Sequence, residues 1–220
     1  MTGTRPSRAL HSAGADGEAS RSHTLSVLRW SDERSVAVAL AQSFVDDPLV
    51  IAICEAAPAL REQRMLWSFR IAVRTHCLAA QPAWLIADAD GTAMGAVLVT
   101  RPRATGPGIS DLLFTTRALW HVGTHTVMRG MRAAQTIAAH APRGPFTYLR
   151  TIGVHPAAQG RGLGSQLVEQ VIRAAPPSLP VYLETAKERN LSFYAHHGFA
   201  CIGEFSCLGV PVWRCMRAVA

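Results

Sequence analysis

The apolar positions of this chain change period again and again, and the changes mark out alternating strands and helices. Leu25 to Trp30 reads as a strand, and Ser31 stands where it can cap a helix reaching about Phe44. Asp46-Asp47-Pro48 breaks the chain, because proline disfavours helical geometry in the residue before it. Pro58 opens a second helix through Leu66 and Phe69 towards Cys77. Trp84 to Ala89 and Met94 to Thr100 flank Asp90-Gly91, the mark of an antiparallel hairpin. Arg101 to Gly108 is a Pro/Gly loop, and Ser110 to His140 has helical periodicity divided or bent at Gly123 and Gly130.

The last third is more regular. Phe146 to Val154 predicts a strand, and Leu163, Leu167, Val168, Val171 and Ile172 line one face of a helix that ends before Pro176-Pro177. Val181 to Glu184 is another strand, Asn190 to His197 a short helix stopped by Gly198, and Phe199 to Cys207 and Val212 to Val219 two closing strands. This order implies an α/β (α+β) fold: a mixed sheet of about seven strands with a parallel pair in its middle, flanked by helices. One domain over residues 25–220 is expected, preceded by a flexible tail over residues 1–24, rich in Ser, Ala, Gly and Arg.

Composition narrows the classes. With 49% hydrophobic and 17% charged residues the 220-residue chain is no disordered or coiled-coil sequence, and no apolar run approaches the ~18 residues of a membrane helix. The tail lacks the apolar stretch of a secretory signal, so a soluble cytoplasmic protein is expected. Net charge is +7, almost all of it arginine, since Lys187 is the sole lysine. The arginines are scattered without an aromatic-interleaved stripe, which argues against nucleic acid and for an anionic small ligand. Cys54, Cys77, Cys201, Cys207 and Cys215 show no metal or disulfide spacing and read as buried small hydrophobes.

The chemistry concentrates in Gln159-Gly160-Arg161-Gly162-Leu163-Gly164, between a strand and an amphipathic helix. Alternating glycines remove side chains where the chain turns, so successive N–H groups can converge on an anion at the positive end of a helix. A plain glycine turn is the competing reading. A Walker A loop is excluded because no lysine follows these glycines. A dinucleotide fingerprint fails because Ser165 occupies the position of its last glycine, and the 56 residues after Gly164 are too few for a doubly wound sheet.

Val154-His155-Pro156-Ala157-Ala158-Gln159-Gly160-Arg161-Gly162-Leu163-Gly164 resembles the acetyl-CoA signature of the GNAT superfamily of N-acetyltransferases. Leu183-Glu184-Thr185, Asn190 to Tyr194 and Gly198-Phe199 resemble the superfamily's next strand and helix, and with Val212 to Met216 the ensemble is similar to the puromycin N-acetyltransferase group and its small-molecule relatives. The resemblance implies that coenzyme A pyrophosphate sits on the N–H groups of Gln159, Gly160, Arg161, Gly162, Leu163 and Gly164, with Ser165 beside them. It implies a bulge at Gly153 that splays two parallel strands, pantetheine pairing along Ile152, Gly153 and Val154, and the Val154 N–H as oxyanion donor. Arg161 adds charge there or is a solvated surface residue.

Tyr194 is the general-acid candidate, four residues from Asn190 and so on the same helix face. A purely core tyrosine is its competing reading, and Asn190 would hold cofactor or helix backbone. Glu184 is the base candidate, through a water, or else an anchor or ion-pair partner; His155, His196 and His197 are titratable substitutes. No metal is expected. The acceptor would be a small amine, an antibiotic in resistance or tailoring being one candidate, bound by Phe44 to Cys54 and Ser110 to His140; Asp46, Asp47, Glu55, Asp111, Trp67 and Trp120 are its candidate contacts. A protein or peptide N-acetyltransferase and a non-catalytic acyl-CoA-binding module are the alternatives, and a monomer or homodimer is expected.

Overall fold

The computed structural model describes residues 23–101 and 120–219. A seven-stranded sheet has the order β1-β2-β3-β4-β5-β7-β6, with β1 Thr24–Val27, β2 Ala83–Ala87, β3 Ala93–Thr100, β4 Thr147–Val154, β5 Val181–Thr185, β6 Ala200–Cys207 and β7 Val210–Arg217. Every neighbouring pair is antiparallel except β4 and β5. The β2–β3 hairpin forms where Asp90-Gly91 predicts it: Gly91 has φ +78°, and Asp88 Oδ1 accepts from the N–H groups of Asp90 (3.1 Å) and Thr92 (2.9 Å).

Both sheet faces are covered, as the near-continuous burial of β3 requires. Val97 and Val99 turn to one face and meet Leu163, Leu167, Val168 and Val171 of α5 (Leu163–Ala174), a 12-residue helix. The intervening Ala96 and Leu98 turn to the other face, against Val36 and Leu40 of α1 (Glu33–Ser43) and Val73 of α3 (Pro58–Leu78).

The local expectations fail in instructive places. The first strand stops at Val27, and Trp30–Asp32 is a 3₁₀ turn, so Ser31 does not cap α1; its hydroxyl donates to Asp32 Oδ1 (3.2 Å) instead. Asp46-Asp47-Pro48 is a beginning as much as a break. Asp47 Oδ1 accepts from the N–H groups of Leu49 (3.1 Å) and Val50 (3.0 Å), and Pro48 occupies the first turn of α2 (Pro48–Cys54). Gly123, at φ +86°, interrupts the helical stretch, while α4 (Thr124–His140) continues through Gly130. Cys201 is exposed and Cys77 half-buried, so only Cys54, Cys207 and Cys215 are core residues. The Arg101–Gly108 loop and the tail over residues 1–24 fall largely outside the described residues. Among those described, no single helix is long and apolar enough to cross a membrane.

The bulge in β4 lies at Arg150, not Gly153. Leu98 pairs with Thr151 and Val99 with Leu149, leaving Arg150 as the extra residue. Gly153 has a different reason to be glycine: a Cβ there would stand 3.0 Å from Ser43 Cβ and 3.1 Å from Leu40 Cδ2 of α1. Gly153→Ala is therefore expected to cost about 1–3 kcal/mol of stability by overpacking. Chemical denaturation reads this directly, and an unchanged midpoint would mean α1 yields without strain.

Candidate active site

After Tyr148, just before the bulge, the parallel pair separates. β4 and β5 pair only at Thr147 with Val181 and at Tyr148 with Tyr182; beyond these, Leu183 to Thr185 pair with β7 alone, so the β4 edge from Leu149 to Val154 faces a fork. A cavity of about 190 Å³ occupies the fork, lined by Ser43, Asp47, Ile152, Glu184, Asn190 and Tyr194 among others.

At the end of β4 the chain turns through a 3₁₀ segment, Pro156–Ala158, and the Gln159 side chain ties the turn back by donating from Nε2 to Val154 O (3.0 Å). Gly160 and Gly162 have φ of +76° and +75°, conformations that glycine adopts without strain. The first hydrogen bond of α5 runs from Gln166 N–H to Gly162 O (3.1 Å), so the N–H groups just before it have no acceptor within the helix. Gln159 N–H turns to Pro156 O (3.3 Å), which moves the start of the cradle from Gln159 to Gly160. Leu163 anchors the loop in the core, Arg161 is exposed, and a Cβ on Gly164 would stand 3.4 Å from Phe193 Cζ. Ser165 Oγ lies 3.2 Å from His197 Nε2.

Residues 47–199 match the model of the acetyltransferase (GNAT) family. The chain belongs to the GNAT family. It is accordingly an N-acetyltransferase that takes its acetyl group from acetyl-CoA. Its fold is similar to a Corynebacterium glutamicum protein described as histone acetyltransferase HPA2 and related acetyltransferase, 21% identical with a TM-score of 0.70 over 90% of this chain and 97% of that one. It is also similar to arylalkylamine N-acetyltransferase 2 from Aedes aegypti (15%, TM-score 0.57, 90% and 98%) and to Chaetomium thermophilum Naa20 with a bisubstrate analogue (13%, TM-score 0.53, 89% and 86%).

The remaining GNAT expectations place unevenly. Asn190 and Tyr194 share one face of α6 (Asn190–His196), and both line the fork cavity. Asn190 Nδ2 donates to Thr185 Oγ1 (3.2 Å). The Tyr194 ring packs edge-on to Phe193 (5.2 Å between centroids) and Phe199 (5.9 Å), so it belongs to the core and to the cavity wall at once. Burial raises its hydroxyl above the ordinary tyrosine value, with Cys215 and Asp47 nearby adding to the rise. Of the substitute bases, His155 Nδ1 accepts from Ala157 N–H (3.2 Å), His196 Nδ1 lies 2.6 Å from Ser192 O, and His197 is held at Ser165; none lines the cavity.

Glu184 differs from these. Burial raises its carboxyl above the usual carboxylate value, while the Tyr148 and Tyr182 hydroxyls beside it act in the opposite direction. At hydrogen-bond geometry, neither Glu184 Oε1 nor Tyr182 Oη has a partner among the described residues. These tyrosines escaped the sequence reading. A signal existed: Tyr182 and Glu184 are two apart on one strand and therefore share a face.

A second cavity, about 450 Å³, meets the first at Tyr148, Arg150, Thr151 and Glu184 and runs beneath α4. The segments expected to bind an acceptor do line these spaces, through Leu49, Val50 and Ile53 of α2 and Ala133, Ala134 and Ile137 of α4. The expected individual contacts mostly do not. Asp46 is paired with Lys187 and Arg189, Glu55 with Arg129 (2.9 Å), Trp67 stacks on His121 (3.9 Å), and Trp120 is 85% exposed. Asp111 lies outside the described residues; Asp47 alone of the named contacts lines a cavity.

The cradle fits a cofactor phosphate, since its glycines keep the approach to the N–H groups clear of side chains. Gly162→Val puts a β-branched residue at φ +75° with open space around it, so the strain falls on the loop rather than the core. The dissociation constant for acetyl-CoA is expected to rise about tenfold or more, ~1.4 kcal/mol, by calorimetry. An unchanged constant would remove the loop from the binding site.

Proposed function

We propose that the chain transfers an acetyl group from acetyl-CoA to the amine of a small molecule, with Glu184 as base and Tyr194 as donor to the departing sulfur. One observation carries the reading: the strand that leads into the glycine cradle forms one side of a fork whose cavity is lined by a carboxylate and a tyrosine on opposite elements, β5 and α6. When bound, acetyl-CoA supplies an acetyl thioester whose carbonyl carbon exchanges sulfur for the amine nitrogen. The N–H groups of Gly160 to Ser165 hold the pyrophosphate, the α5 dipole and Arg161 favour its charge, and the β4 edge from Ile152 to Val154 receives the amide arm. The Val154 N–H is the donor offered to the carbonyl oxygen. Asn190, tied to Thr185, fixes the start of α6 and with it Tyr194.

Glu184 takes the proton from the incoming ammonium, a task suited to a carboxyl whose pKa burial has moved towards neutrality. Tyr194 keeps its own proton at working pH and donates a hydrogen bond where charge develops on sulfur. A small acceptor is favoured over a peptide because the cavity beyond Glu184, about 450 Å³, is of the size that holds drug-sized ligands. Antibiotics with a free amine belong to that class, which keeps resistance and tailoring as roles.

Amine-dependent release of free thiol from acetyl-CoA, with mass spectrometry of the product, tests the reading. Small amines are expected to be turned over. Acetylation of peptide amino termini alone would replace the small molecule by a peptide acceptor.

A further inference from the structure

The end of α6 is braced against the first turn of α5 at one polar contact. Ser165 is the third residue of α5, and its Oγ lies 3.2 Å from Nε2 of His197, 32 positions further along the chain. A serine within a helix commonly returns its hydroxyl to a backbone carbonyl one turn earlier. Among the described residues Ser165 makes no such bond, and His197 is the partner its side chain takes instead. The imidazole is set by more than this contact. His197 follows the last residue of α6, its backbone N–H donates to Tyr194 O (3.0 Å), and its ring stands edge-on to Phe193 with centroids 5.0 Å apart. Phe193 in turn abuts Gly164, where a Cβ would lie 3.4 Å from its Cζ. Ser165 and His197 are both half-buried, whereas His196, one residue earlier, is exposed and turns back to Ser192 O (2.6 Å).

We infer that His197 is a positioning residue for coenzyme A, holding the Ser165 hydroxyl so that its hydrogen goes to the pyrophosphate. Resting on the phosphate cradle of the proposed function, this adds one side-chain donor to the N–H groups there. Side chains of a helix lean towards its N-terminus, so the Ser165 hydroxyl stands beside the turn that forms the cradle. A hydroxyl has one hydrogen to donate and lone pairs with which to accept, and an ionised phosphate oxygen only accepts. Without cofactor the bond between Ser165 and His197 can run in either direction. With a phosphate in the cradle, the one hydrogen of Ser165 is committed to it, and Oγ accepts from the N–H at His197 Nε2. The imidazole thereby fixes a hydroxyl that would otherwise rotate, and the bond it directs is charge-assisted, stronger than one between neutral groups. His197 acts only through Ser165.

The test is calorimetric titration of the full chain with coenzyme A and with pantetheine, which carries no phosphate. Ser165→Ala is expected to raise the dissociation constant for coenzyme A about tenfold, and His197→Ala about fivefold, with pantetheine unaffected by either. If the imidazole works through the hydroxyl, the two losses do not add: His197→Ala should cost nothing further in a chain that already carries Ser165→Ala. His197→Gln keeps an N–H at the reach of Nε2 without the ring, and should bind coenzyme A within about twofold of wild type. A purely structural role for the ring at Phe193 gives the opposite pattern. An unchanged constant in His197→Ala, the same loss with or without Ser165, an equal loss for pantetheine, or His197→Gln no better than His197→Ala each overturns the inference. The cradle still stands in those cases if Gly162→Val weakens coenzyme A; if Gly162→Val has no effect, the cradle and the inference fall together.

Discussion

Tyr194→Phe is expected to lower kcat by roughly 10²–10³-fold, the effect of deleting one donor aimed at developing charge, while the affinity for acetyl-CoA changes little. From reference values, full proton transfer from a tyrosine to a thiolate is uphill by ~1.5 pK units. Burial of Tyr194 makes it steeper still, because the hydroxyl is pushed above its ordinary value. The hydroxyl therefore works by keeping its proton and donating a hydrogen bond to the sulfur. The ring stays wedged between Phe193 and Phe199 in the variant, so folding is preserved. Rapid-quench turnover measures the loss; a kcat within a few-fold of wild type, with chemistry limiting, would make Tyr194 a packing residue and hand the sulfur to water.

The second large effect is at Glu184. A general base contributes typically ~10²–10⁴-fold, so Glu184→Gln should reduce kcat/KM by about that range. Its pH dependence follows from the direction of the shift. Burial raises the carboxyl pKa, so at a pH where an exposed glutamate is already ionised, Glu184 still carries its proton and cannot accept another. Activity should rise with pH through an apparent pKa above the ordinary carboxylate range, and the Gln variant should lose that limb. A carboxylate held in a site that disfavours its charge adds no stability there, so Glu184→Gln should melt no lower than wild type. A variant that keeps the acid limb, or that unfolds, would mark Glu184 as a structural anchor.

The sheet and the cradle were legible because their signals are local. Three glycines in alternation after a strand, and apolar residues at helical spacing from Leu163, determine the turn and the buried face of α5 with no help from distant parts of the chain. The errors arose where tertiary packing decides. Glycine at position 153 suggests a bulge, but its missing side chain makes room for Ser43 and Leu40 across the sheet, a contact spanning more than a hundred residues. The true bulge, at Arg150, carries no glycine and no turn residue to announce it. The Asp47-Pro48 pair illustrates an ambiguity of another kind, since it reads as a helix breaker yet caps and opens the next helix, the preceding one having already ended at Ser43. The tyrosines beside Glu184 needed the strand register: Tyr148 and Tyr182 are aligned only because β4 and β5 pair at those positions before separating. Charge was the least legible property, because Asp46 and Glu55 look free in a sequence and are neutralised by cations up to 143 positions away.

If this GNAT protein acetylates a small amine at the fork between β4 and β5, steady-state competition between acceptors reveals it. One preparation is given acetyl-CoA with equal concentrations of a small-amine mixture and of peptides with free amino termini, and the acetylated products are quantified together by mass spectrometry. Acetylated small amines are expected in molar balance with the thiol released, and both are expected to be lost in Glu184→Gln. Acetyl groups found on the peptides alone, or undiminished small-amine product in Glu184→Gln, would contradict it.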